Sequence, residues 1–542
     1  MGKKALLAEI EKAWPACYES DAFVHMLQRD ALPGYFKKCR WFAGKARKLK
    51  DVRIKEAVRF TFSSRLAYIL VVDAYYRTGK LEQYLLPITY TETAPEEAER
   101  AVICAHANGY IVDAVFDEAF RRELFAAFAQ NRKIKEGEYE LVFERGAAFE
   151  EIDIAALGSR VLNFDQSNTS LFFGERYFFK FYRKLFRLTN PELEVVRYLS
   201  EKTAFRHIPV YAASISLRKG RSAEITLGIM QQRVSSEGDA WGLFQDLLTR
   251  FIDENGIGQL HALQQEVRYL DLADLTANSD LAAGVLDKKA FQWAALLGQR
   301  TAEMHNALGQ STSNMAFTPA AYDAEYKTWL SAHFDKLLEK RQQLLADVMQ
   351  QLSPEARLLA KAFKDQIDLI REHFESIQHW DPASKRSRIH GDYHLGQVLH
   401  QSGDYIILDF EGEPESSISD RKIKHSPLKD VAGMLRSFHY AAYVALYFGP
   451  RGEQIRRQYP QAEKLAESWF QLIASVYLQA YFDTLNRQHL GLTSDAECAQ
   501  LLRLHLLEKA VYEFGYELNG RPDWVIIPLK GIQQILGEYQ TN

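Results

Sequence analysis

The spacing of apolar and polar positions divides the 542-residue chain into two unlike parts. Residues 50–90 hold three strand-like stretches, VRIKEAVRF (52–60), RLAYILVVDAYY (65–76) and LEQYLLPITY (81–90), with a TGK turn between the last two. β-Branched and aromatic residues bounded by turn formers predict strands. The same reasoning predicts strands at YELVFER (139–145), SRVLNFD (159–165), SLFFG (170–174), RYFFKFYRK (176–184) and AEITLGIMQQRV (223–234). Residues 1–40 and 92–135 read as helical, the second from an acidic start, ETAPEEAERAV. NPELEVVRYLSEK (190–202) predicts a helix with Asn190 as N-cap and Pro191 at the first helical position. From about residue 236 onward the periodicity is mostly helical.

One segment interrupts the helical part: RIHGDYHLGQVL (388–399), followed by YIILDFEGEPE (405–415). GQVLH, QSGD and YIILD read as strand, turn and strand, a hairpin that folds Asp409 back towards Asp392 and Gln397. Two carboxylates and an amide carbonyl are hard oxygen donors that suit Mg²⁺. In protein kinases the catalytic Asp is followed five residues later by a metal-binding amide, and a second metal-binding Asp opens D-F-G. Asp392, Gln397 and the Asp409 of D-F-E keep that order and spacing. Such a site needs a lysine on an upstream strand and a glutamate on the next helix, and Lys180 and Glu194 are the candidates. QSNTSLFFGER (166–176) precedes them as a hairpin over phosphates; it lacks G-x-G-x-x-G, so Ser167, Asn168, Thr169 and Ser170 would supply the backbone cradle. Each part alone has an ordinary structural explanation. The ordered set is what points to phosphoryl transfer.

The composition narrows the classes. With 67 basic and 71 acidic residues the net charge is −4, which gives no long-range pull towards nucleic acid or an anionic membrane. Four scattered cysteines lack metal-ligand spacing and argue for a reducing compartment. The longest apolar runs, such as LAYILVV (66–72), fall far short of a membrane span, and the N-terminus lacks a signal-peptide core. The expected location is the cytoplasm.

With these motifs the chain resembles the maltokinase family, in the aminoglycoside-phosphotransferase-like branch of the protein-kinase fold. The resemblance rests on RWFAGKARK (40–48), QSNTS (166–170), KFYRKL (180–185), NPELEV (190–195), GQRTAEMH (298–305), HGDYHLGQVL (390–399), LDFEGEPE (408–415), SPLKDVAGMLRSFHYAA (426–442) and KAVYEFGYELNGRPDW (509–524). It implies an α+β, bilobal kinase-like fold with three parts: an N-terminal cap subdomain over 1–105, a β-rich intermediate subdomain with the ATP-binding lysine over 106–235, and a mostly helical C-lobe over 236–542. It implies ATP and Mg²⁺ as cofactors, Asp392 as catalytic base, and Gln397 and Asp409 as Mg²⁺ ligands. Lys180 would contact the ATP phosphates and pair with Glu194. Gln166 to Ser170 would form the phosphate loop, and IMQQRV (229–234), with Gln232 and Val234, the hinge that receives adenine. The implied reaction is phosphorylation of maltose at its anomeric hydroxyl, giving α-maltose 1-phosphate for α-glucan and glycogen synthesis. A trehalose synthase is a possible partner in trans. One departure is RWFAGKAR, where relatives often have Gly in place of Ala43.

Sugar sites combine aromatic faces with charged hydrogen-bonding groups. Lys509, Tyr512, Glu513, Tyr516 and Glu517 recur at helical spacing, Arg521 follows, and Tyr477 and Tyr481 lie four apart upstream. These residues are the expected acceptor face, although a tyrosine stripe also serves as core. Two rivals stand beside maltose phosphorylation: a glucosamine or other small-sugar kinase on the same scaffold, and a non-catalytic regulator of trehalose synthase.

Overall fold

A computed structural model describes residues 14–150, 152, 157–163, 167–220, 224–255 and 267–540. Gln166 and residues 1–13 of the stretch expected to be helical over 1–40 lie outside them; within the rest, Asp21–Lys38 is helical. The chain divides into two compact units, Met1–Val234 and Ser235–Asn542.

The first unit holds two antiparallel sheets. One runs in the order Leu49–Phe62, Arg65–Tyr76, Glu82–Thr91, Gly109–Asp113, Val102–His106, with Lys184–Leu185 added to Glu82–Thr91. The other has the order Lys133–Glu136, Tyr139–Arg145, Tyr211–Lys219, Ile225–Gln232, Tyr177–Tyr182, Asn168–Phe173, Ser159–Val161. The strand Arg65–Tyr76 is buried on both faces, which explains its unbroken apolar run, RLAYILVVDAYY. Ile69 and Val71 join Phe60, the helix Glu118–Ala129 and the second sheet in one core, while Tyr68, Leu70 and Val72 join Phe23, Phe36 and Trp41 in another.

Two expectations need correction here. Residues 92–135 are not mainly helical: they contain the strands Val102–His106 and Gly109–Asp113 before the helix Glu118–Ala129. The Asn108–Gly109 pair between two β-branched runs is a strong hairpin signal, and it outweighs the acidic helix start. The 105/106 boundary therefore cuts a hairpin whose two strands belong to one sheet.

In the second unit the helix Asp495–Gly520 packs against Leu428–Tyr447, Ala324–Val348 and Ile526–Gln540, and Lys288–Leu308 packs along Ala462–Thr484. That last pair is close because Gly298 has no side chain: a Cβ there would lie 2.2 Å from the Tyr477 carbonyl oxygen. The expected hairpin is Val398–Gln401 with Asp404–Ile407, extended by Gly238–Asp239. Among the described residues no helix is long and apolar enough to cross a membrane.

Candidate active site

In the first unit Lys180 sits mid-strand, with Ser170 opposite it on one neighbour and Ile229 on the other. Its ammonium is held 3.0 Å from a carboxylate oxygen of Glu192, which also accepts from the Tyr182 hydroxyl at 2.7 Å. The paired glutamate is thus Glu192 and not the expected Glu194. The helix Pro191–Lys202 starts where the sequence predicts, with Asn190 Oδ1 accepting from the Glu192 amide. Two residues turn a helix by about 200°, so neighbouring glutamates at this spacing face opposite sides. Glu192 is buried and Glu194 half-buried.

Of the expected cradle, Ser167 is exposed and Asn168 half-buried, but Thr169 and Ser170 are buried within the strand Asn168–Phe173. Thr169 Oγ1 accepts from Arg183 Nε at 2.8 Å, so that hydroxyl serves the core. Ser170 Oγ, across from Lys180, has no hydrogen-bond partner among the described residues. Gln232 ends its strand with its amide bonded to the Val210 carbonyl, and Val234 is the last residue of the unit.

In the second unit the loop carrying Asp392 is fixed from behind. The buried Asp430 accepts the His390 amide at 2.7 Å through one oxygen and the Gly391 amide at 2.9 Å through the other. His305 Nε2 lies 3.1 Å from Asp430, and its Nδ1 is 2.9 Å from the Tyr481 hydroxyl. A second chain runs from Tyr393 through Thr301 to Tyr477. Tyr477 and Tyr481 are therefore 0% exposed supports of the loop and not part of an acceptor face. Gly391 and Gly412 both have positive φ and meet back to back, a Cβ on Gly391 falling 3.1 Å from the Gly412 Cα.

The hairpin brings Gln397 and Asp409 together. The Leu408 amide bonds to the Gln397 carbonyl, and the Gln397 side-chain amide lies 3.2 Å from Asp409 Oδ2. As placed, Gln397 donates its Nε2–H to that carboxylate; with the amide turned over, its oxygen and the Asp409 carboxylate are the hard donors a divalent cation takes.

Lys509 reaches Asp392 Oδ1 at 3.1 Å and Glu413 at 3.7 Å, with its ammonium 4.9 Å from the Tyr512 ring centroid. Burial alone would raise the Asp392 carboxyl; the Lys509 ammonium, helped by the fields of His394 and His390, holds it below the usual carboxylate range. Burial works against the Lys509 charge as well, and Asp392 with Glu413 overcomes it, so the lysine is firmly protonated. Tyr512 is half-buried and Tyr516 is 52% exposed.

The acceptor stripe ends sooner than the sequence suggests. Glu517 is buried, held by Arg521 at 2.7 Å and by the Tyr440 hydroxyl, and Arg521 itself lies over Trp524 at 4.0 Å. Eight residues overshoot two helical turns by about 80°, enough to carry Glu517 off the Lys509 face. Glu413, Asp430 and Glu192 were missed by the sequence reading. Asp430 alone had a usable signal, the one acid of a largely apolar helix. A cavity of about 50 Å³ lined by Trp329, His333, Gly391, Glu413 and Lys429 adjoins the loop. It has room for a water or two and not for a sugar ring.

The fold is kinase-like. It matches a solved glucosamine kinase, in complex with glucosamine, ADP and inorganic phosphate, with a TM-score of 0.62 at 18% identity, over 97% of this chain and 100% of that one. A second crystal form of glucosamine kinase gives 0.59 at 18% identity, over 92% and 97% of the two chains. Residues 35–117 match the model of the maltokinase N-terminal cap domain, a stretch that runs past residue 105 and takes in the strand Gly109–Asp113. Two curated relatives are named glucosamine kinase: one from Streptacidiphilus jiangxiensis, 27% identical over 150 residues, and one from Mycolicibacterium smegmatis, 31% identical over 150 residues. Each alignment covers 28% of this chain, and the chain spans about a third of the relatives' length, 32% and 34%.

Proposed function

We propose that the protein transfers the γ-phosphoryl group of ATP to the anomeric hydroxyl of a neutral sugar, maltose, giving α-maltose 1-phosphate. The observation that carries this reading is the Asp392–Lys509–Glu413 group. Asp392, ionised at neutral pH, orients the acceptor hydroxyl and takes its proton as the phosphorus–oxygen bond forms. Lys509 fixes that carboxylate, and its remaining N–H bonds face sugar hydroxyls. Lys180, locked by Glu192, steadies the nucleotide phosphates. Gln397 and Asp409 would hold Mg²⁺, which supplies charge neutralisation on the phosphates. The protein's share of catalysis is positioning and electrostatics.

Lys509 also favours a neutral acceptor. A protonated amino sugar beside Asp392 would meet an ammonium already in place, and like charges at that distance cost affinity. The matched cap domain supports maltose too. Phosphorylation of glucosamine is the second reading, favoured by the names of the curated relatives. The deciding experiment is ADP release with maltose, glucose, glucosamine, trehalose and an aminoglycoside in parallel. Turnover confined to maltose supports the proposal; turnover on glucosamine alone replaces it. Nucleotide binding without turnover on any acceptor leaves a regulator of trehalose synthase as the reading to pursue.

A further inference from the structure

The helix Ala324–Val348 contributes Arg341, which is 1% exposed. The carboxylate within its reach is that of Glu415, 4.0 Å away, which Lys340 also approaches at 3.2 Å. A buried guanidinium must find other acceptors. Its Nε donates to the Val511 carbonyl at 3.3 Å and its Nη2 to the Tyr512 carbonyl at 3.1 Å. Both carbonyls lie inside the helix Asp495–Gly520, so the guanidinium lies along the helix backbone. Gly515 makes the notch: a Cβ there would fall 2.1 Å from Arg341 Nε. The guanidinium carbon is 5.4 Å from the Tyr512 ring centroid. One turn earlier on the same helix, Lys509 reaches Asp392.

We propose that Arg341 is a positioning residue for the acceptor sugar, acting through Tyr512 and Glu415. It clamps the Tyr512 backbone, packs on that ring, and draws Glu415 towards the face from which Lys509 meets Asp392. A sugar on that face finds its aromatic wall and a carboxylate already placed, so the ordering cost of binding falls. Val511 and Tyr512 offer backbone carbonyls, so side-chain substitution at those positions leaves this clamp in place; only the arginine, the glycine and Glu415 can break it. The inference rests on the proposed sugar-kinase reading.

The test is steady-state kinetics of the full chain on the sugar it turns over, with Arg341→Met, Arg341→Lys and Glu415→Gln beside the wild type. For folded Arg341→Met the expected result is a tenfold or larger rise in acceptor KM. Its kcat and ATP KM should stay within about twofold of wild type, and Arg341→Lys should recover part of the loss. Glu415, 39% exposed in its side chain, tolerates substitution without loss of fold, and Glu415→Gln should raise acceptor KM about threefold. An unchanged acceptor KM in folded Arg341→Met overturns the inference, as does a parallel loss in kcat and both KM values. Should Arg341→Met not fold, an unchanged KM in Glu415→Gln overturns it instead. A wild type that turns over no sugar overturns the reading beneath it, and the inference with it.

Discussion

Arg183 with Asp113 in the first unit and Lys509 with Asp392 in the second are both ion pairs at hydrogen-bond distance, 2.6 and 3.1 Å. Their surroundings differ. Both side chains of the first pair are 0% exposed, whereas those of the second retain 16% and 21%. Arg183 is bonded through all three of its nitrogens: besides Asp113 it donates to Thr169 Oγ1 and the Leu85 carbonyl, and it lies over the Trp41 ring. Asp113 also accepts from the Tyr35 hydroxyl and the Val115 amide. These bonds join the two sheets, since Thr169 lies on one and Leu85 and Asp113 on the other. Asp392 and Lys509 keep surface open on one side and a second carboxylate, Glu413, within reach. A fully enclosed pair fits the role of a fastener; a partly open one fits the role proposed for Asp392.

That contrast can be broken from either side. The largest effect expected is on chemistry: Asp392→Asn should cut turnover by roughly 10²–10⁴-fold, with an unchanged melting curve. Near-normal turnover would remove Asp392 as the base. Arg183→Met should do the reverse, destabilising the fold by about 3–5 kcal/mol because Asp113 is left buried and unpaired, as read by chemical denaturation. Asp430→Asn falls between the two. An amide has one accepting oxygen for two backbone N–H donors, so about 1–3 kcal/mol of stability should be lost and kcat should fall as the loop loosens.

The wild-type contribution of Asp430 also has a pH signature. Burial pushes its carboxyl up, but His305, His390 and the Gly391 amide outweigh that and leave it lowered. A carboxylate with a lowered folded pKa stabilises above the unfolded value and loses that contribution as pH falls through the folded one. Acid unfolding should therefore be shallower in Asp430→Asn. The smallest expected effect is a shift rather than a loss. Lys509→Met removes the charge that holds Asp392 down, so the base ionises only at higher pH. The acid limb of the kcat/KM profile should move to higher pH. An unmoved limb would mean that Lys509 does not set the ionisation of Asp392.

Local features were legible from residues alone. The hairpin that joins Gln397 to Asp409 spans twelve residues, and its turn, Ser402–Gly403, has both φ values positive. The Asn190 cap and the Lys180 strand were equally plain, because caps and alternation are written within a few residues. Phase was harder. Glu192 and Glu194 differ only in which side of a helix they occupy, and the sequence shows the helix without its orientation. The tyrosines posed the same difficulty on a larger scale. Tyr477, Tyr481, Tyr512 and Tyr516 all sit at helical spacing, yet two are enclosed behind the loop that carries Asp392 and two lie on the helix that carries Lys509.

The sequence by itself therefore determined most of the strands, the Asn190-capped helix and the choice of Asp392, Gln397, Asp409 and Lys180 as the groups to examine. Tertiary structure alone decided their partners: Glu192 for Lys180, Lys509 for Asp392, Asp430 for the loop amides, and Arg341 for the Tyr512 carbonyl. These pairings join segments 12 to 171 residues apart. Periodicity fixes how a side chain projects from its own element, but which element lies opposite depends on packing the whole core, and that information is spread over the chain.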